Sequence, residues 1–373
     1  GVDPASLGLL TSAYFLTFAA FQLPLGVLLD RYGPRRVEAV LLLFAAAGAF
    51  AFARAETLTG LLLGRALIGL GVSACLMAAF KAFTLWFPAE KLPLANGIQM
   101  ISGGIGALAA STPVELSLKF TDWRGVFLIL SGLTLAAAIC IFLMVPEKQG
   151  SRSGETLRQQ LQGIRQVFTS RTFRSIAPWA VAAQAAYLSI AGLWSGPWLR
   201  DIANYDRMTI ANTLMGISIA MIAGYFAFGS LAERLARRGI RPMTVAASGM
   251  ICFMVVQGMI VLQMVKVTLI LWLLFGFFGT ACILPYAALS QNFPQHLSGR
   301  VNTGLNLLVF VAAFAAQWAI GLVIDFWPQT ASGGYSAAGY SSSFGLIVLL
   351  QLAGAAWYFH AAARNRASAK RSA

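Results

Sequence analysis

Charge is scarce in this sequence. Of 373 residues only 11% are Asp, Glu, Lys or Arg, against about 25% in a soluble domain. With 58% apolar residues and a mean hydropathy of +0.73, the chain has too little polar surface to wrap a core in water. An ordinary cytosolic enzyme is excluded, and the expected solvent is lipid. Histidine is almost missing: His296 and His360 are the only two, and neither has metal-ligand spacing. The four cysteines, Cys75, Cys140, Cys252 and Cys282, each sit inside an apolar run, which implies neither a disulfide framework nor a metal site. There is no Walker phosphate loop and no Ser/His/Asp arrangement, so neither ATP-driven nor nucleophilic chemistry is suggested. No enzyme activity, cofactor or metal is expected.

What the chain does contain is a series of long apolar runs. A helix needs about 20 such residues to cross a bilayer. Eleven stretches qualify, near 8–29, 37–55, 58–86, 94–118, 124–146, 174–199, 209–232, 242–263, 267–290, 302–326 and 342–363. They are continuous rather than alternating, which favours helices over a β-barrel. With the start of the first run placed outside, 19 Lys and Arg fall in inner connections and 6 in outer ones, while Arg65 and Lys81 lie within a span. That bias fixes a topology with the C-terminus cytoplasmic. It also accounts for most of the net charge of +14, so no nucleic-acid partner is expected.

The longest connection separates an N-terminal bundle (1–146) from a C-terminal one (174–363), with a tail at 364–373. Within the linker, 147–173, Leu157, Leu161, Ile164 and Phe168 recur at helical spacing opposite Arg158, Gln162 and Arg165. The pattern predicts an amphipathic helix on the inner membrane surface; the plainer reading, a structural linker, is the favoured one.

An internal repeat is also present. Gly26-Val-Leu-Leu-Asp30-Arg31-Tyr-Gly33-Pro-Arg35-Arg36 follows one span. Gly229-Ser-Leu-Ala-Glu233-Arg234, continuing to Gly239 and Arg241, follows another at an offset of 203 that becomes 206. Phe87-Pro88 recurs as Phe293-Pro294, and Asn96 as Asn302, at 206. Two parallel halves of one bundle point to a transporter with its site between them.

The first of these loops resembles the signature loop of the major facilitator superfamily, and the second its weaker copy. Arg65-x-x-x-Gly69-x-Gly71 is similar to the family's fourth-helix motif, with Ile68 where Gln is usual. Gly103, Gly104, Gly106 and Pro113 form a loose version of its fifth-helix motif. The resemblance implies an all-α integral membrane fold of two six-helix bundles related by a pseudo-twofold. In the family the signature loop follows the second helix, but here it follows the first. The expectation is a chain lacking the first of twelve helices, with 1–146 holding helices 2–6 and 174–363 helices 7–12.

Site expectations follow. Asp30 stands at an inner helix end with Arg31, Arg35 and Arg36 around it. It can pair with Arg or with a neighbouring helix N-terminus and latch the halves while the inside is shut. The other reading is that the basic residues only set topology. Arg65, within a span, is a candidate for an anionic substrate or proton coupling, or for a structural ion pair with Glu115. Lys81 lies roughly 160° around the helix from Arg65, so both cannot face one cavity, and Lys81 is expected to snorkel inward. Asp325 is expected at an outer gate or interface. Gln184, Tyr187 and Trp194 form one stripe and Asn302, Asn306 and Gln317 another, with Tyr14 and Gln22 facing alike on the first run. By resemblance these line the cavity; hydrogen bonding between helices or interfacial anchoring is the alternative.

The expected function is secondary active transport of a small solute by alternating access, leaning to an organic anion, with protons a candidate partner. Drug or metabolite efflux is the alternative within the class, and a non-transporting membrane sensor the alternative outside it. A monomer in the cytoplasmic membrane is expected.

Overall fold

The computed structural model describes residues 17–109, 120–146, 157–328 and 334–371, together with 14, 118 and 330. Every regular element among them is helical. Lipid offers the backbone no partners, so each apolar run closes its own hydrogen bonds. The helices are α1 (Gln22–Tyr32), α2 (Pro34–Arg54), α3 (Leu58–Val72), α4 (Cys75–Trp86), α5 (Leu92–Ala109), α6 (Trp123–Met144), α7 (Leu157–Thr169) and α8 (Arg171–Ser189). They continue with α9 (Ser195–Asp201), α10 (Arg207–Ala236), α11 (Pro242–Val261), α12 (Thr268–Gly279), α13 (Leu284–Gln291), α14 (Ser298–Asp325) and α15 (Ala337–Arg371). Side chains cap several starts: Thr57 accepts from Gly60 N, Asp122 from Gly125 N, Ser170 from Phe173 N and Asp206 from Thr209 N.

Nine stretches among the described residues, rather than eleven, are long and apolar enough to span a bilayer. The expected spans 8–29 and 94–118 run partly outside the described residues; α1 and α5 stand within them. Some spans are composite. Leu58–Trp86 joins α3 to α4, and Arg171–Asp201 joins α8 to α9 through a π-helical turn at Ile190–Trp194.

The chain forms two compact units. The first comprises Gly1–Ala89, Ile105–Phe168 and Phe293–Leu307, and the second Glu90–Gly104, Thr169–Asn292 and Leu308–Ala373. Each unit therefore includes a short segment from the other half of the sequence. In the first, α2 packs closely on α3 and α6. A Cβ on Gly71 would land on the Ala45 backbone, and one on Gly64 on that of Phe52, so small residues set the helix approach. In the second, Trp198, Trp272, Phe275 and Phe253 form a chain of rings with centroids 5.0–5.5 Å apart. The buried amides of Gln257 and Gln351 pair reciprocally at 3.2 and 2.9 Å, tying α11 to α15.

The linker helix forms as α7, but it does not simply rest on a membrane surface. Val167 is fully buried, the Phe168 ring lies under Gly304, and Gly163 abuts the Arg300 guanidinium. Its C-terminal turns, at Gly163, Val167 and Phe168, pack within the first unit.

Both loop copies turn on a glycine with positive φ, 82° at Gly33 and 79° at Gly239, 206 residues apart as the repeat requires. Gly33 has ψ 159°, a region essentially closed to other residues, and a Cβ there would meet nothing within 4 Å. The cost of Gly33→Ala is therefore conformational: about 1–3 kcal/mol, read as a lowered thermal midpoint of the purified protein.

Candidate functional site

The site is built on one face of α1. Gln22, Gly26 and Asp30 are spaced by four and so lie in a row along the helix. Each meets α14 or the turn before it, within the first unit. Asn306 Nδ2 donates to Gln22 Oε1 at 3.2 Å, while Gln22 donates to the Ser73 carbonyl at 3.3 Å. A Cβ on Gly26 would fall on Thr303 Oγ1 and within 3.1 Å of Arg300 Cα; the signature glycine is what permits this approach.

At the end of the row the Asp30 carboxylate is 1% exposed. Oδ1 accepts from Lys81 Nζ at 2.7 Å and from Gly299 N at 3.0 Å. Oδ2 accepts from Arg300 N at 3.2 Å, and Arg300 Nε stands 3.5 Å away. The two backbone donors belong to the first turn of α14, where unsatisfied N–H groups and the helix dipole favour an anion. Lys81 also donates to the Gln295 carbonyl and to Ser298 Oγ, which uses all three ammonium protons. Gln295 Nε2 in turn donates to the Thr84 carbonyl at 2.6 Å. The result is a buried charge cluster that fastens the C-terminal parts of α1 and α4 to the start of α14.

One expectation is corrected here. Lys81 does not snorkel: it is 3% exposed, because Asp30 gives it a buried counter-ion. Asp30 does meet an Arg and a neighbouring helix N-terminus, but the Arg is Arg300 at the start of α14 and not Arg31, Arg35 or Arg36. Arg31 lies over the Tyr32 ring at 5.3 Å, Arg35 donates to the Phe142 carbonyl and covers its ring, and Arg36 is exposed.

The second loop copy has the same glycine logic without the clasp. In the second unit, Gly229 lies against Pro93 and Leu94 at the start of α5, and Gly97 against the Tyr225 carbonyl. Glu233, though buried, bonds Arg237 one turn along its own helix at 2.6 Å. Arg234 is exposed.

The other candidates divide between the units. In the first, the half-buried Arg65 guanidinium lies 5.0 Å from the Phe52 ring and 5.7 Å from that of Phe127. It makes no contact with a carboxylate among the described residues, and Glu115 lies outside them. Tyr14 stacks on Phe18 at 6.2 Å and accepts from Thr17 through its carbonyl. Asn302 is buried beside Thr303. In the second unit, Trp194 Nε1 donates to the Gln317 carbonyl at 3.1 Å. Tyr187 is buried against Phe275 and Phe253 at 5.7 and 6.1 Å, and Gln184 is buried too. Glu38, which no sequence signal singled out, is buried against the Cys75 thiol.

A family model described as Major Facilitator Superfamily matches residues 1–317. The chain is 23% identical over 252 residues to a probable sulfoacetate transporter, SauU, of Cupriavidus necator, covering 64% of this chain and 58% of that protein. It is 26% identical over 323 residues to monocarboxylate transporter 12-B of Danio rerio, covering 75% and 64%. It thus spans under two thirds of either relative's length. The fold resembles that of the E. coli fucose:proton symporter FucP, with a TM-score of 0.70 at 18% identity over 94% of this chain and 91% of that one.

Proposed function

Because the chain belongs to the major facilitator superfamily, a family of multi-pass membrane transporters rather than enzymes, we propose that it carries a small organic anion across the cytoplasmic membrane by alternating access. The observation that carries the anion is Arg65. A cation within a span costs about 3 kcal/mol on insertion scales, and among the described residues this one is met by the Phe52 and Phe127 ring faces and the field of the Tyr14 hydroxyl, with no carboxylate in contact. Aromatic faces stabilise a cation without neutralising it, so a carboxylate or sulfonate can still be held there. The relatives named for sulfoacetate and monocarboxylates are in keeping with that chemistry. The Asp30 cluster is the inner latch in this reading, closed when the inner side is shut and opened when it is not. Protons are the candidate coupling ion.

The test is uptake into proteoliposomes, with and without an imposed pH gradient, of short sulfonates, carboxylates and sugar acids against cationic drugs. Anion uptake that strengthens with inward proton flow is expected. Arg65→Ala should raise the half-saturating anion concentration tenfold or more, as loss of a charge-assisted hydrogen bond worth roughly 1.5–3 kcal/mol implies; Arg65→Lys should recover part of it. Uptake confined to cationic drugs would overturn the reading.

A further inference from the structure

The second unit carries an open apolar groove of about 440 Å³ between α8, α14 and α15. Pro178 and Ala182 form one wall, Ala312 and Ala316 the second, and Leu350, Gly354 and Trp357 the third. Pro178, Leu350 and Trp357 are exposed, so the groove opens to the outside of the unit. From Ile347 to Trp357 it runs ten residues of α15, about 15 Å at the helical rise. It is long, narrow and almost free of polar groups, which suits a hydrocarbon chain and not a solute.

Its inner end has a different character. Trp357 Nε1 donates to the Arg174 carbonyl at 2.8 Å, bringing the inner ends of α8 and α15 together. Arg171 and Arg174 precede Pro178 by seven and four residues and so share its face. His360 and Arg364 follow Trp357 by three and seven and share that one. All four are exposed. Neither α8 nor α15 contains a single Asp or Glu, so the rim is basic with nothing on either helix to neutralise it. An indole at the rim belongs at headgroup level.

We propose that this groove is a binding site for an anionic phospholipid of the inner leaflet. One acyl chain lies in the groove, and the phosphate is held by Arg171, Arg174 and Arg364. The charge of the rim is complementary to a headgroup of net negative charge, whereas a zwitterionic headgroup brings beside its phosphate an ammonium that the basic rim repels. The site is separate from the Asp30 cluster and from Arg65, and the proposal does not depend on the identity of the transported solute.

The experiment is native mass spectrometry of the full chain in detergent, titrated with phosphatidylglycerol or phosphatidylcholine. Tighter retention of phosphatidylglycerol, by fivefold or more, is expected, weakening as salt rises. Arg171→Gln/Arg174→Gln/Arg364→Gln should abolish that preference, lowering phosphatidylglycerol retention to that of phosphatidylcholine, which falls by less. Ala353→Trp, which fills the groove, should weaken retention of both. Thermal midpoints without added lipid would establish that the variants fold. Equal retention of the two lipids by the wild type would overturn the proposal. So would an unaltered preference in the triple variant, or an equal loss from Arg238→Gln/Arg241→Gln, basic residues elsewhere on the chain.

Discussion

Asp30→Asn is expected to insert normally and to transport poorly, with the closed inner side depopulated roughly a hundredfold or more. Insertion is governed by the Lys and Arg of the inner connections, all of which remain. The latch is another matter. Removing one partner of a buried pair costs about 3–5 kcal/mol because the remaining charges stay buried without compensation, and about 1.4 kcal/mol is a tenfold change in an equilibrium. Here the substitution strands both Lys81 and Arg300 and weakens the anion at the α14 N-terminus. Reactivity of a single cysteine introduced on the inner side measures the population, and proteoliposome uptake measures the rate. Lys81→Met alone should act in the same direction. The double variant Asp30→Asn/Lys81→Met should lose less than the sum of the two, as coupled partners do. An unchanged uptake rate and unchanged labelling would remove the latch from the mechanism.

The second large effect is steric. Gly26→Ala should lower the thermal midpoint and slow uptake, with overpacking costing about 1–3 kcal/mol despite alanine's better helix propensity. The new methyl meets Thr303 Oγ1 and the Arg300 backbone, so it pushes α1 off α14 in the row that ends at Asp30. Thr303→Ala should restore part of the loss by removing one of the two obstacles. Gly103→Ala is the control: nothing lies within 4 Å of its added Cβ, and it should be neutral or slightly stabilising.

Much of the architecture is written in local features of the chain. Hydropathy marks the spans, because in lipid a helix is the solution for each run taken alone. Gly33 and Gly239 are legible as the matching glycines of the two loop copies, while the positive φ that both adopt is visible only in the structure. The partners of Asp30 are not. Lys81 is 51 residues from it and the Arg300 amide 270. A helical wheel places Lys81 near the inner end of its span but cannot say that a carboxylate from another helix waits there. Arg300, counted by sequence reasoning as one more inner positive charge, contributes both its amide and its guanidinium to the site. The linker helix shows the same limit: its periodicity predicts an apolar face, while what the helix meets, Gly304 at the Phe168 ring and Arg300 at Gly163, depends on chain far away in sequence. Asn306 was legible as part of a polar stripe, and its contact with Gln22 is a bond between helices, the alternative that stripe always carried.

The unequal fate of the duplicated acid has a consequence for the working cycle. Asp30 reaches across to a distant helix, whereas Glu233 is spent on its own. In the proposed cycle, then, the duplicated acid is no spare: damage at the first loop has no understudy at the second. If the Asp30 clasp is the latch, the order of opening follows from that single fastening and not from the repeat.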